Sequence, residues 1–107
     1  MAAAPKLPGS IKVGYQTVAL ELASREDLID AYGDCNHEKQ RIRIGDWLKP
    51  QQAAETLIHE LLHAVWPNRW SHVGDIEETL VTGLAPNIAG VWRDNPAIVA
   101  WLSWALK

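Results

Sequence analysis

The sequence predicts an α+β domain, a small antiparallel sheet of three or four strands followed by three helices. Three observations carry this. Apolar residues alternate with polar ones through the first half of the chain. Polar Asn36 to Lys39 interrupt that alternation in the manner of a hairpin turn. From Gln51 onward the apolar spacing changes to the three-and-four rhythm of helices.

The elements follow in order. Residues 1–9 read as a flexible leader broken by Pro5, Pro8 and Gly9, and residues 10–107 as a single domain. Ile11, Val13 and Tyr15 alternate with Lys12, Gly14 and Gln16, and Val18, Leu20 and Leu22 with Ala19, Glu21 and Ala23, which fits one long or two short strands. Ser24 to Asp27 resembles a turn or the start of a short helix running to Ala31. Tyr32–Asn36 and Gln40–Gly45 form the two arms of a hairpin, with Ile42 and Ile44 marking the buried face of the returning strand. Antiparallel pairing with one face covered suits this pattern.

Pro50 stands where a first helical turn tolerates proline. No Gly or Pro interrupts Gln51 to Trp66, where Ala53, Ala54, Leu57, Leu61, Leu62 and Val65 recur at helical spacing before Pro67-Asn68 ends the run. A second helix is expected from Asp75, a capping candidate, to about Arg93, with Leu80, Leu84, Ile88 and Val91 as its apolar stripe and Pro86 as a site of kinking. Asn95-Pro96 opens a third helix from Ala97 to Ala105 that is apolar almost all round, the mark of a buried or partner-facing segment.

Composition excludes some classes. Formal net charge is −3 and no cluster of Lys and Arg exists, so the electrostatic footprint of a nucleic-acid binder is missing. Arg41 and Arg43 read as the solvated face of a strand rather than a phosphate track. Cys35 is the only cysteine, which rules out an internal disulfide and suits a reducing compartment. The leader lacks the apolar core of a signal peptide, and no apolar run is long enough to span a bilayer. A cytoplasmic protein without nucleic-acid or membrane partners is the expectation. Six Trp, two Tyr and no Phe imply tryptophans that fill the core, with Trp70 and Trp104 as candidates for an aromatic wall.

The informative segment is His59-Glu60-Leu61-Leu62-His63, an H-E-x-x-H pattern inside the first helix. Residues four apart share a helical face, so His59 and His63 can converge on one tetrahedral Zn²⁺. Glu60, rotated about 100° from His59, can reach a water held by the metal without ligating it. Zinc lowers the pKa of such a water, and the carboxylate takes its proton during attack on a carbonyl. The pattern arises by chance in roughly one such chain in a hundred. Two histidines leave the site short of a ligand, for which His72, Asp75, Glu77 and Glu78 are candidates. Glu77 and Glu78 also suit the first turn of a helix through its dipole, and periodicity does not choose between them.

The stretch from Tyr32 to Pro96 resembles small phage- and prophage-encoded zinc metallopeptidases related to the ImmA/IrrE peptidases of the gluzincin group. The resemblance rests on Tyr32-Gly33, the strand Ile42-Arg43-Ile44, Glu55 to Ala64 with its H-E-x-x-H, Glu77-Glu78 ahead of Leu84-Ala85, and Asp94-Asn95-Pro96. It implies a minimal zincin fold with the sheet packed on the active-site helix. It also implies peptide hydrolysis with zinc held by His59, His63 and, from the spacing to Leu84-Ala85, Glu78 in preference to Glu77, with Glu60 as general base. Two departures are the interrupting Pro86 and the lack of an accompanying helix-turn-helix. The zincin likeness further implies that the strand from Arg41 to Ile44 offers an edge to extended substrate, with Arg41 or Arg43 meeting acidic side chains.

The rival expectation is a non-catalytic zinc-stabilised module that binds protein through its helical C-terminal region. Among the remaining residues, His72 and His37 read as solvated, Cys35 as a small packed side chain, and Tyr32 as a sheet residue that could instead face the cleft.

Overall fold

The computed structural model describes residues 4–65 and 76–107. Among them the chain forms four strands and three helices, an α+β arrangement as expected: β1 (Ser10–Val13), β2 (Gln16–Ala23), β3 (Gly33–Asn36), β4 (Arg41–Gly45), α1 (Pro50–Ala64), α2 (Ile76–Asp94) and α3 (Pro96–Ala105). Trp66, Trp70, His72 and Asp75 lie outside the described residues.

The first apolar run becomes two short strands because Gly14 takes a φ of +62°, a turn conformation that costs glycine little. The next bend, residues 25–30, is one irregular turn rather than a helix. Ser24 Oγ accepts the Asp27 N–H at 3.1 Å, and Ile29 and Asp30 end the turn in the left-handed region. The second hairpin closes as expected, with Asn36 Oδ1 accepting the Lys39 N–H at 2.9 Å.

The sheet order is β1-β2-β4-β3, and the expectation of purely antiparallel pairing is corrected here. Each hairpin is antiparallel within itself, but β2 and β4 run parallel, from Ala19 opposite Arg41 to Ala23 opposite Gly45. Composition explains the insertion of β4. Ile42 and Ile44 are fully buried, which suits a central strand, whereas Gly33-Asp34-Cys35-Asn36 is polar and half-buried, which suits an edge. Local alternation cannot report which arm of a hairpin docks on its neighbour.

Helix α1 packs its Ala53, Ala54, Leu57 and Leu61 on the sheet, joining Ile11, Val18, Leu20, Ile42 and Ile44 in one core. Val91 of α2 and Ile98, Trp101, Leu102 and Ala105 of α3 complete it. Leu62 is 40% exposed, so its place in the apolar stripe was not needed for packing. Leu22 and Tyr15 are exposed as well, Tyr15 in the turn between β1 and β2. Helix α2 continues through Pro86, and Asn87 donates from Nδ2 to the Val65 carbonyl at 3.1 Å, tying α2 to the end of α1. Among the described residues no helix is long and apolar enough to cross a membrane.

Asn95, between α2 and α3, holds the helices to the sheet. Its Oδ1 accepts the Lys12 N–H at 2.7 Å, and its Nδ2 donates to the Lys12 carbonyl at 2.8 Å and the Val91 carbonyl at 2.7 Å. The side-chain amide thus imitates a neighbouring strand. Asn95→Ala removes these bonds and should lower stability by about 1–3 kcal/mol in chemical denaturation, with Asn95→Asp recovering at most part of the loss because it cannot donate.

Candidate metal centre

The histidines of the motif owe their placement to the packing of α1. Leu57 and Leu61 face the sheet, which leaves His59 and His63 one turn apart at the exposed rim. Their ring centroids are 5.0 Å apart with the planes inclined by 68°. Glu60 lies between them in sequence but is buried, at 7% exposure.

The candidate ligand atoms of His59, Glu60 and His63 all fall within 4.8 Å of one another. Two donors on one zinc ion, at 2.0–2.1 Å each, lie at most about 4.2 Å apart, so the cluster is slightly wider than a single coordination shell and a small side-chain rotation would close the imidazoles on one ion. Imidazole and carboxylate are also the donor types zinc accepts, and these residues fit it. Glu77 and Glu78 lie in the first turn of α2, their side chains outside the described part of the structure, as are the alternatives His72 and Asp75.

The surroundings of Glu60 are set by Gly33. A Cβ at residue 33 would stand 2.7 Å from the Arg43 carbonyl oxygen, 2.7 Å from Thr56 Cγ2 and 3.4 Å from Glu60 Cγ. Glycine is therefore what lets the edge strand close on α1 and cover the glutamate. Thr56 is buried there too, its Oγ1 donating to the Gln52 carbonyl at 2.8 Å. Burial pushes the Glu60 carboxyl above its ordinary range; His59 and His63 pull it back down, and Asp34 pushes it up again.

Beside this, on the opposite face of the sheet, Arg43 Nε donates to Asp34 Oδ1 at 3.0 Å, and this bond holds the Asp34 carboxyl below its usual value. Burial, then Glu60 and Asp34, push the Cys35 thiol up, so it packs as an inert, half-buried side chain. His37 sits exposed in its turn.

The expected role of Arg41 to Ile44 as a substrate edge is corrected. β4 is paired on both sides, Arg43 is occupied by Asp34, and Arg41 lies 3.9 Å from Glu21. The edge beside α1 is β3. Tyr32 does not sit in the sheet but precedes β3 and faces the cleft, together with Gly33, Gln52, Glu55, Thr56, His59 and Glu60. Gly33, Gln52, Glu55 and Thr56 were not marked as site residues by spacing. The legible signal was Thr56 and Glu60, two polar residues one turn apart beside the apolar stripe.

No family model, curated protein or solved structure matches this chain.

Two consequences can be measured. Gly33→Ala should cost about 1–3 kcal/mol in denaturation, since backbone and a β-branched side chain must both give way. Glu60→Gln should stabilise the metal-free chain at neutral pH. A raised carboxyl value in the folded state means that the native chain holds its proton longer than the unfolded one, so stability falls as pH rises through the folded value. The advantage of Gln should vanish below about pH 4, where both states are protonated; denaturation midpoints across pH in a chelating buffer give the comparison.

Proposed function

We propose that the chain is a zinc-dependent metallopeptidase acting on protein or peptide substrates in the cytoplasm. The observation that carries this reading is the convergence of two rim imidazoles with a buried carboxylate on one helix. His59 and His63 would hold the metal, with Glu78 of α2 as the third ligand. The motif-level resemblance to phage-type gluzincins supports the same assignment.

When bound, zinc would supply a Lewis acid that acidifies water and polarises the scissile carbonyl. The chain's own contribution is proton traffic. Glu60 takes a proton from the attacking water as its oxygen bonds to the carbonyl carbon, then delivers that proton to the amine nitrogen as the C–N bond breaks. Burial of Glu60 suits the first half of this cycle, because a carboxyl with raised proton affinity is a better base, and the departing amine, far more basic than a carboxylate, still takes the proton in the second. Gly33 and Thr56 act as positioning residues, confining the Glu60 side chain between strand and helix.

The test is zinc content and hydrolysis measured together. Wild type should carry about one zinc per chain; His63→Ala and Glu78→Ala should each lose most of it. Glu60→Gln should keep the metal and lose at least about a hundredfold in peptide hydrolysis. Zinc retained at full occupancy by both ligand variants would refute the ligand set. A Glu60→Gln chain that loses no function would favour the zinc-stabilised binding module instead.

A further inference from the structure

The cleft beside the proposed metal centre has a definite chemical character. It encloses about 400 Å3 against the first half of α1 and the start of β3. Glu55 stands one helical turn before His59, so the two share a face of the helix. Glu55 is exposed and forms no salt bridge among the described residues. Tyr32, 54% exposed, lines the same cleft on a backbone held by the Gly45 N–H donating to the Tyr32 carbonyl at 2.8 Å. Gln52 Oε1 already accepts the Lys49 backbone N–H at 3.1 Å, so Glu55 is the exposed carboxylate on this wall open to a ligand. Glu60, buried and with no hydrogen-bond partner among the described residues, closes the inner end. No Lys or Arg lines the cleft among the described residues.

A carboxylate and an aromatic face on the wall of a cleft without cations select positive charge, the first by ion pairing and the second through the ring quadrupole. We propose that this cleft recognises a cationic group, an ammonium or guanidinium, on the peptide residue beside the scissile bond, paired with Glu55 and laid against Tyr32. Glu55 is then a specificity-determining residue. The inference rests on the peptidase reading of the same site.

Binding is measured first, on the zinc-loaded full chain carrying Glu60→Gln so that no turnover intervenes. The probes are short amidated peptides that differ only in Lys, Arg or norleucine at one position, each with a free or an acetylated N-terminus. The Lys and Arg peptides should bind about tenfold more tightly than norleucine, from one exposed ion pair and one cation–π contact together. The preference should shrink as salt is raised. Adding Glu55→Gln should remove most of it, and Tyr32→Leu part of it, while norleucine affinity stays put and reports that the fold is intact. Glu38→Gln, in the exposed hairpin turn, makes the same change in net charge and should leave the preference whole.

Selectivity that survives acetylation identifies the side chain as the recognised group; selectivity confined to free N-termini identifies the terminal ammonium. Equal affinity for Lys, Arg and norleucine in both series, or a preference indifferent to Glu55→Gln, overturns the proposal. Hydrolysis by the unmodified chain separates the two levels. Cleavage without cation preference sinks this inference and leaves the peptidase reading, whereas cation-selective binding with no cleavage sinks the peptidase reading and leaves only the pairing of a cation with Glu55 and Tyr32.

Discussion

Helix α1 has one rotation about its axis that buries both Leu57 and Leu61 on the sheet, and that rotation decides where every chemical group on the helix points. His59 and His63 reach the rim and Glu60 turns inward beside β3 because the leucines hold the remaining face. Turning the helix to re-aim the imidazoles would expose both leucines, at a cost of about 3–6 kcal/mol. The site therefore borrows its rigidity from the core. A metal bound at the rim would meet ligands already close together, which lowers the entropy lost on binding.

The second dependence is the closeness of β3 to α1. A strand with a side chain at residue 33 would stand off from Thr56 and leave Glu60 wetter. Glycine there converts an ordinary surface glutamate into a buried one, and burial in turn raises its hold on a proton. The histidines work against this shift, so the proton affinity of Glu60 reflects a balance between dehydration and nearby imidazole. Asp34, kept ionised by Arg43, adds to the dehydration side. Backbone geometry and carboxylate chemistry are one design at this point of the fold.

Much of this was legible in residue order. The three helices, the hairpin of β3 and β4 and the pairing of His59 with His63 on one helical face follow from local periodicity, whereas residues 11–23 read equally well as one long strand or two short ones until Gly14 folds them into a hairpin. The parallel pairing of β2 with β4 was not legible, because Ile42 and Ile44 advertise burial without naming a neighbour. For the same reason Arg43 read as a substrate contact when Asp34, opposite it across the hairpin, already occupies it. Tyr32 faced the cleft instead of entering the sheet, since β3 begins one residue later at Gly33. Asn95 read as the opening of the third helix and as part of a family-like ending, and neither reading reaches its role across the fold. Its bonds to Lys12 span 83 positions, and no local pattern reports a contact of that reach.

The two outer strands of the sheet, β1 and β3, are each blunted in a different way. An edge strand is a template for intermolecular pairing, and a four-stranded sheet has two of them. On β1 the outward N–H and C=O of Lys12 are consumed by the Asn95 amide, a molecular stopper where another chain would otherwise add its strand. On β3 the ladder is only four residues long and carries Asp34 with its paired Arg43 across the face. The same asparagine that docks the helices thus also caps this edge against strand addition.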